Sequence, residues 1–310
     1  MKQACVVVVL NSNHLSLAQA LASKLGADVI QAAVHRFPDG ELEVQMHAHV
    51  KNSLICVLQS LTPPVNEHLV QLMLLLNILR SAEGCRTLAI VPYFGYARQK
   101  QTFHSCPLHL FHRLLCTAGA LKVLSFDTHG IHRQNRKAFP CLQHIQTLPL
   151  FVQDIQNRLN TYHIKRNKAV IVSPDEGGVN TALACAQKLG IGLAVVNKKR
   201  LPSGRIQAAS IQGDLTNRTV AIVLDDLIDT GQTILQTAHL LRKQNIPSVW
   251  AYATHALLTN PSAFFEQSHV LDHLVVTDTI APSQKLLKCE RVRLLSCIPI
   301  LAQAICAWLI

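Results

Sequence analysis

Charge is scarce in this chain: Asp, Glu, Lys and Arg make up 15% of 310 residues, against 49% hydrophobic. Disordered chains show the opposite balance, so the sequence describes an ordered, core-forming protein. Aromatics are scarcer still at 5%, and there is neither an arginine-rich arm nor a stacking motif, which argues against a nucleic-acid partner. The net charge of +11, from 29 Lys and Arg against 18 Asp and Glu, then fits small phosphorylated ligands, which need positive charge only locally. No C-x-x-C pair occurs among the 10 Cys. Several, such as Cys56, Cys116 and Cys185, sit inside apolar runs and read as reduced thiols of a cytoplasmic protein, with no convincing ligand set for zinc. Membrane spans are also missing. The opening "MKQACVVVVL" is too short to cross a bilayer and meets a turn at Asn11-Ser12-Asn13, while "IPILAQAICAWLI" is interrupted by Pro299 and Gln303 and reads as a buried last helix. No Walker A pattern is present, which excludes an ordinary P-loop kinase.

What is there is alternation. Apolar strand-like runs at Cys5–Leu10, Ser53–Leu58, Leu88–Val91 and Val123–Phe126 are interleaved with helical spacing over Leu15–Leu25 and Glu67–Ala82. The theme returns with strands at Ala169–Val172, Leu193–Val196, Val220–Leu224 and Val249–Thr254, and with helices that end at Leu189 and span Thr233–Lys243. The pattern predicts an α/β protein of two similar domains, each a mostly parallel sheet flanked by helices. The polar stretch "CLQHIQTLP" suggests the boundary, giving domains 1–145 and 146–310.

Chemistry concentrates in "VLDDLIDTGQTIL", Val223 to Leu235. Asp225 and Asp226 are expected to leave the carboxyl end of a strand, where open α/β sheets take their ligands. Asp229, Thr230, Gly231 and Thr233 then form a turn that opens a helix, whose first N–H groups suit an anion. A ribose 5-phosphate carries both complements: a phosphate for the amides and threonine hydroxyls, and a vicinal diol for the two carboxylates. A plain acidic helix start with threonine caps is the competing explanation. It suits one Asp better than two in tandem at a buried strand's end.

This stretch resembles the phosphoribosyl-diphosphate loop of phosphoribosyltransferases and ribose-phosphate pyrophosphokinases. "HRFPDGELEV", "IVPYFGYARQ", "FDTHG", "VSPDEGGV" and "VVTDTI" are similar, in order, to the pyrophosphokinase pattern across nearly the whole chain. That resemblance implies two phosphoribosyltransferase-like domains, with ATP bound by the first and ribose 5-phosphate by the second. It implies that Arg98 and Gln99 contact ATP, and that Phe37, Asp39 and Glu41 serve the adenine in a neighbouring subunit of a homo-oligomer built on dimers, with a hexamer among the options. His129 and Asp175 would hold Mg2+ with the phosphates. Lys198 and Arg200 of "VNKKRLPSGR" would lie on a loop that closes over the polyphosphate and neutralises charge as the leaving group departs. Taken alone, each motif has a plainer reading: a solvated Arg, a core-edge His, a P-D-G turn, a basic surface loop.

Some positions depart from the family pattern. Lys100 stands where an Asp is usual, Pro107-Leu108-His109-Leu110 replaces Pro-Ile-Ser-Ala, the phosphate loop reads T-G-Q-T, and Gln71 replaces Glu. The implied reaction is pyrophosphoryl transfer from Mg-ATP to the 1-hydroxyl of ribose 5-phosphate. The alternatives are a phosphoribosyltransferase, which shares only the Asp225–Thr233 loop, and a silent regulatory paralogue, which Lys100 and the rewritten Cys106–His112 segment would favour.

Overall fold

Val6 to Val9 are all buried although they alternate in direction along the chain, so both faces of their sheet are covered. Helices on both sides of a parallel sheet produce this signature. The computed structural model describes residues 4–10, 14–48, 50–98, 107–128, 139–200 and 206–309, with the backbone alone at 198–200 and 206–209. By its contacts the chain divides into two units. One comprises Met1–Gln146, Thr279–Ala281 and Ser296–Ile310, the other Thr147–Asp278 and Pro282–Leu295.

The first stretch runs β1 (Ala4–Val9), α1 (Leu15–Leu25), β2 (Asp28–Gln31), β3 (Ala33–Arg36), β4 (Leu42–Gln45), β5 (Ser53–Leu58), α2 (Val65–Arg80), β6 (Arg86–Ile90), α3 (Pro107–Ala118), β7 (Lys122–Phe126) and β8 (Leu142–Ile145). Its six-stranded sheet has the order β2-β1-β5-β6-β7-β8, and every pair is parallel. β3 and β4 form a separate antiparallel hairpin. The chain continues with α4 (Leu148–Thr161), β9 (Ala169–Ser173), α5 (Val179–Leu189), β10 (Gly192–Arg200), β11 (Ile206–Gln212), β12 (Val220–Ile228), α6 (Gln232–Lys243), β13 (Ser248–Ala256), α7 (Pro261–Gln267), β14 (His273–Thr277), α8 (Gln284–Leu287), β15 (Val292–Leu295) and α9 (Ile298–Cys306). The second sheet is ordered β11-β10-β9-β12-β13-β14-β15. Apart from the antiparallel edge strand β11, this repeats the first order strand for strand.

Within the stretch "CLQHIQTLP", Leu142–Ile145 is β8, paired in parallel with β7, and the division by contacts falls between Gln146 and Thr147. Two polar residues in a short edge strand hide the apolar signal that marks the central ones. The domain running to residue 310 gives up its last helix. α9 buries Ile298, Leu301 and Ile305 against Leu17 and Leu21 of α1 in the first unit, and Trp308 beyond it donates its indole N–H to Gln143 at 3.3 Å. α4, which follows β8, packs reciprocally in the second unit, where Phe151 and Ile155 meet Cys185 and Leu189 of α5. Both helices open on an apolar residue followed by Pro, Leu148-Pro149 and Ile298-Pro299, the position where a missing N–H costs least. No helix among the described residues is long and apolar enough to cross a membrane.

Candidate functional site

Asp225 and Asp226 lie within β12 rather than beyond it. β13 is long enough to keep pairing, with Asp225 opposite Ala253 and Ile228 opposite Ala256, so the strand continues to Ile228. Both carboxylates are half-buried near its carboxyl end, and the Asp226 N–H donates to Asp225 Oδ1 at 2.9 Å. β9 pairs with β12 through Val172 and Val223, so the "SPDEGG" turn leaves β9 beside them. The turn is closed internally. Ser173 Oγ donates to the Asp175 carbonyl at 2.7 Å, and the Gly178 N–H donates to Asp175 Oδ1 at 3.2 Å. A Cβ on Gly178 would stand 3.0 Å from Ser173 Oγ and 3.9 Å from the Leu224 carbonyl, so glycine lets this turn press against the end of β12. Burial first, then the charges of Asp226 and Asp175, push the Asp225 carboxyl well above the ordinary carboxylate range. Three acids are thus gathered at one strand end, an arrangement that a cation relieves.

The helix start behind them is conditioned by one glycine. Gly231 has φ +80, and a Cβ there would come within 2.1 Å of the Phe264 ring. Backbone and space both require glycine. The N-cap of α6, Gly231, has no side chain to cap it, and the first turn holds no acid. Thr230 Oγ1 accepts the Gln232 N–H only at 3.5 Å, which leaves the dipole end to solvent or an anion. Thr230 is exposed and Thr233 half-buried at this end. Asp229 is braced by a residue that the sequence alone did not flag: Thr259 donates its hydroxyl to Asp229 Oδ1 at 2.9 Å and its N–H to the Asp229 carbonyl at 3.2 Å. The signal was spatial only, because Thr259 follows the next strand.

Lys198 and Arg200 belong to β10, which runs past its last β9 partner, Val195, and pairs with β11 instead. Lys198 stands opposite Ala209 and Arg200 opposite Ile206, with an irregularity between Lys199 and Arg200. The two basic positions therefore sit on an antiparallel arm and not in a loop; residues 201–205, where the loop was expected, lie outside the described residues.

In the first unit, Phe37, Asp39 and Glu41 are exposed at the tip of the β3–β4 hairpin. The Phe37 N–H meets the Glu41 carbonyl at 2.9 Å, and the Glu41 N–H meets Asp39 Oδ1 at 3.1 Å. Arg98 is exposed in the turn at Gly95–Arg98 after β6. The first turn of α2 joins these regions: Glu67 forms an ion pair with Arg36, beside the hairpin tip, and Asn66 accepts a hydrogen bond from the Tyr96 hydroxyl. Neither Asn66 nor Glu67 was evident from sequence, since a polar pair at a helix start usually serves only the helix. Gln99 and His129 lie outside the described residues, so the pairing of His129 with Asp175 is not seen. A ligand cluster absent from the sequence reading does emerge, at His112, Cys116 and Cys141.

Residues 6–119 match the family model of the N-terminal domain of ribose phosphate pyrophosphokinase, and residues 206–308 match that of the phosphoribosyl synthetase-associated domain. The ribose-phosphate pyrophosphokinase of Hyphomonas neptunium is 36% identical over 299 residues, covering 95% of this chain and 93% of the relative. The chain belongs to the ribose-phosphate pyrophosphokinase family. The pyrophosphokinase of Ralstonia nicotianae, 32% identical over 96% of this chain and 93% of its own, is a further relative. The crystal structure of phosphoribosylpyrophosphate synthetase from Mycobacterium smegmatis superposes with a TM-score of 0.87 at 28% identity and covers 99% of both chains. Family membership makes the chain an enzyme and sets aside the phosphoribosyltransferase alternative, which accounted for one loop and not for two repeated units.

Proposed function

We propose that this enzyme transfers the pyrophosphoryl group of ATP to the 1-hydroxyl of ribose 5-phosphate, forming phosphoribosyl diphosphate and AMP in the cytoplasm. The observation that carries this reading is the juxtaposition at the end of β12: two adjacent carboxylates stand beside an uncapped, glycine-led helix start. One end of the ligand must therefore offer hydroxyls and the other an anion. Asp225 and Asp226 accept the 2- and 3-hydroxyls, while Gly231, Thr230 and Thr233 hold the 5-phosphate and Asp229 keeps their turn in shape. The 1-hydroxyl oxygen attacks the β-phosphorus, the bond to the α-phosphate oxygen breaks, and the hydroxyl proton passes to solvent as AMP leaves. Positioning and charge supply the rate. Lys198 and Arg200 neutralise the polyphosphate as that bond breaks.

ATP is held by Arg98 and Gln99, with the adenine against Phe37, Asp39 and Glu41 of a neighbouring subunit. The exposure of that hairpin tip suits a role across an interface. Hard carboxylate oxygens crowded at Asp175, Asp225 and Asp226 fit Mg2+, with Asp175 and His129 as its holders. Bound there, the ion would screen phosphate charge. The test is AMP release from ATP that depends on ribose 5-phosphate. ADP as product would mean γ-phosphoryl transfer and overturn the reading. No turnover, together with tight binding to an active relative, would assign the chain a regulatory role.

A further inference from the structure

The family reading makes no use of α3, the segment whose sequence departs from the usual pattern, and that is where the ligand cluster lies. His112 and Cys116 are one turn apart on α3, so their side chains share a face. Cys141 is brought to the same point by the fold, immediately before β8, where its carbonyl accepts the Val123 N–H at 2.8 Å. The imidazole nitrogen and the two sulfurs all lie within 4.8 Å of one another. Around a tetrahedral zinc, with bonds of about 2.0–2.3 Å, the donor atoms stand roughly 3.5–3.8 Å apart. A contraction of about 1 Å, within the reach of side-chain rotation, closes that gap.

A second observation points the same way. His112 is 1% exposed, yet neither ring nitrogen reaches full hydrogen-bond geometry with a partner among the described residues, the backbone of His109, one turn back, acting on the ring only short of it. Buried imidazoles are normally satisfied, and the Phe139 ring, edge-on at 5.6 Å, offers no polar atom. An apolar-core role for two thiols would explain Cys116 and Cys141 but not this histidine.

We propose that His112, Cys116 and Cys141 form a site for a thiophilic cation of the Zn2+ class, separate from the substrate residues and tying α3 to the entry of β8. Two sulfurs and one nitrogen select such an ion over Mg2+, which prefers oxygen. Three protein ligands leave one position for water. Burial, followed by the neighbouring Cys141, pushes the Cys116 thiol up to about 12, so the free site holds thiols and binding releases their protons to solvent.

The experiment uses the full-length protein, reduced, loaded with Zn2+ and washed, with retained metal measured by elemental analysis. Stoichiometric retention is expected. Co2+ in place of Zn2+ should give a thiolate-to-cobalt charge-transfer band and the intense visible absorption of a tetrahedral site. Cys116→Ser and Cys141→Ser should each weaken retention at least roughly tenfold, whereas Cys185→Ser, at a buried thiol outside the cluster, should leave it unchanged. The proposal fails if the unmodified protein retains no more Zn2+ than the double Cys116→Ser/Cys141→Ser variant. It also fails if bound Co2+ shows no charge-transfer band, or if Cys116 and Cys141 are isolated as a disulfide and take up no metal after reduction.

Discussion

The two units repeat one strand order but treat buried polar groups differently. In the second, Asp154 is 5% exposed and fully engaged: it accepts from the Tyr252 hydroxyl at 2.8 Å, from Arg158 at 3.2 Å and from Arg293 at 3.0 Å. Asp272 accepts from Arg242, Ser248 and the Val249 N–H at 2.9, 3.0 and 2.7 Å. In the first unit, buried atoms of His14, Gln59, His112, Ser125 and Thr128 have no hydrogen-bond partner among the described residues, whereas the second unit shows this only at Thr237. Gln59 and Thr128 sit just past the carboxyl ends of β5 and β7, the edge at which such sheets take ligands. One unit closes its polar groups with its own side chains. Among the described residues the other leaves several without a partner, so the same topology is braced by closed polar networks in one copy and carries unpartnered polar atoms in the other.

The largest effect should come from Gly231→Val, which combines the left-handed backbone with the Phe264 clash. A loss of about 4 kcal/mol of stability is expected, read as early melting in calorimetry. Asp154→Ala should cost about 3 kcal/mol in urea unfolding, because it strands two arginines and a buried hydroxyl. Lys198→Ala and Arg200→Ala should leave stability alone and lower kcat roughly a hundredfold with KM nearly unchanged, as for contacts made only in the transition state. A raised KM at constant kcat would make them ground-state phosphate contacts.

Asp225→Asn should trade function for stability. The folded-state carboxyl titrates above its unfolded value, so the ionised group opposes folding at neutral pH and ceases to do so as pH falls toward that unfolded value. The variant, held in chelator, should therefore melt higher than the parent at neutral pH, by a margin that shrinks on acidification, while its use of ribose 5-phosphate weakens. An unchanged melting difference across that range would refute the crowding of Asp175, Asp225 and Asp226. The smallest effect is expected for Gln59→Leu, within about 1 kcal/mol of the parent or more stable, since an unpartnered buried amide gains nothing from its polarity. If it instead destabilised as much as Asp154→Ala, the contrast between the units would collapse.

The elements legible from sequence were those whose burial is uniform or cleanly periodic. α1 ends at Gly26, whose φ of +65 closes the helix, and its span follows directly from its apolar spacing. The central strands β1, β5, β9 and β12 are apolar runs covered on both faces. Polar or half-exposed elements escaped: β8 went unread within a polar stretch, the β3–β4 hairpin read as a turn, and α4 went unread behind Pro149. In the site, carboxylates adjacent in sequence were readable, whereas partners joined only by the fold were not. Thr259 against Asp229, Glu67 against Arg36 and Cys141 against His112 are all of this second kind. Lys198 and Arg200, which end a strand and which the resemblance placed on a closing loop, are held extended in their backbone by pairing with β11.

The exchange of α4 and α9 sets a timetable for synthesis. The first sheet is complete once β8 has been made, but the apolar face of α1 that carries Leu17 and Leu21 waits for residues 298–306 to cover it. At ordinary translation rates that interval is on the order of ten seconds. Until then the nascent first half presents an open greasy patch to chaperones, or to the same patch on a neighbouring ribosome's product. The second unit, closed by β15 at Val292–Leu295, waits for nearly the same final stretch, so the two units become finished together rather than one after the other.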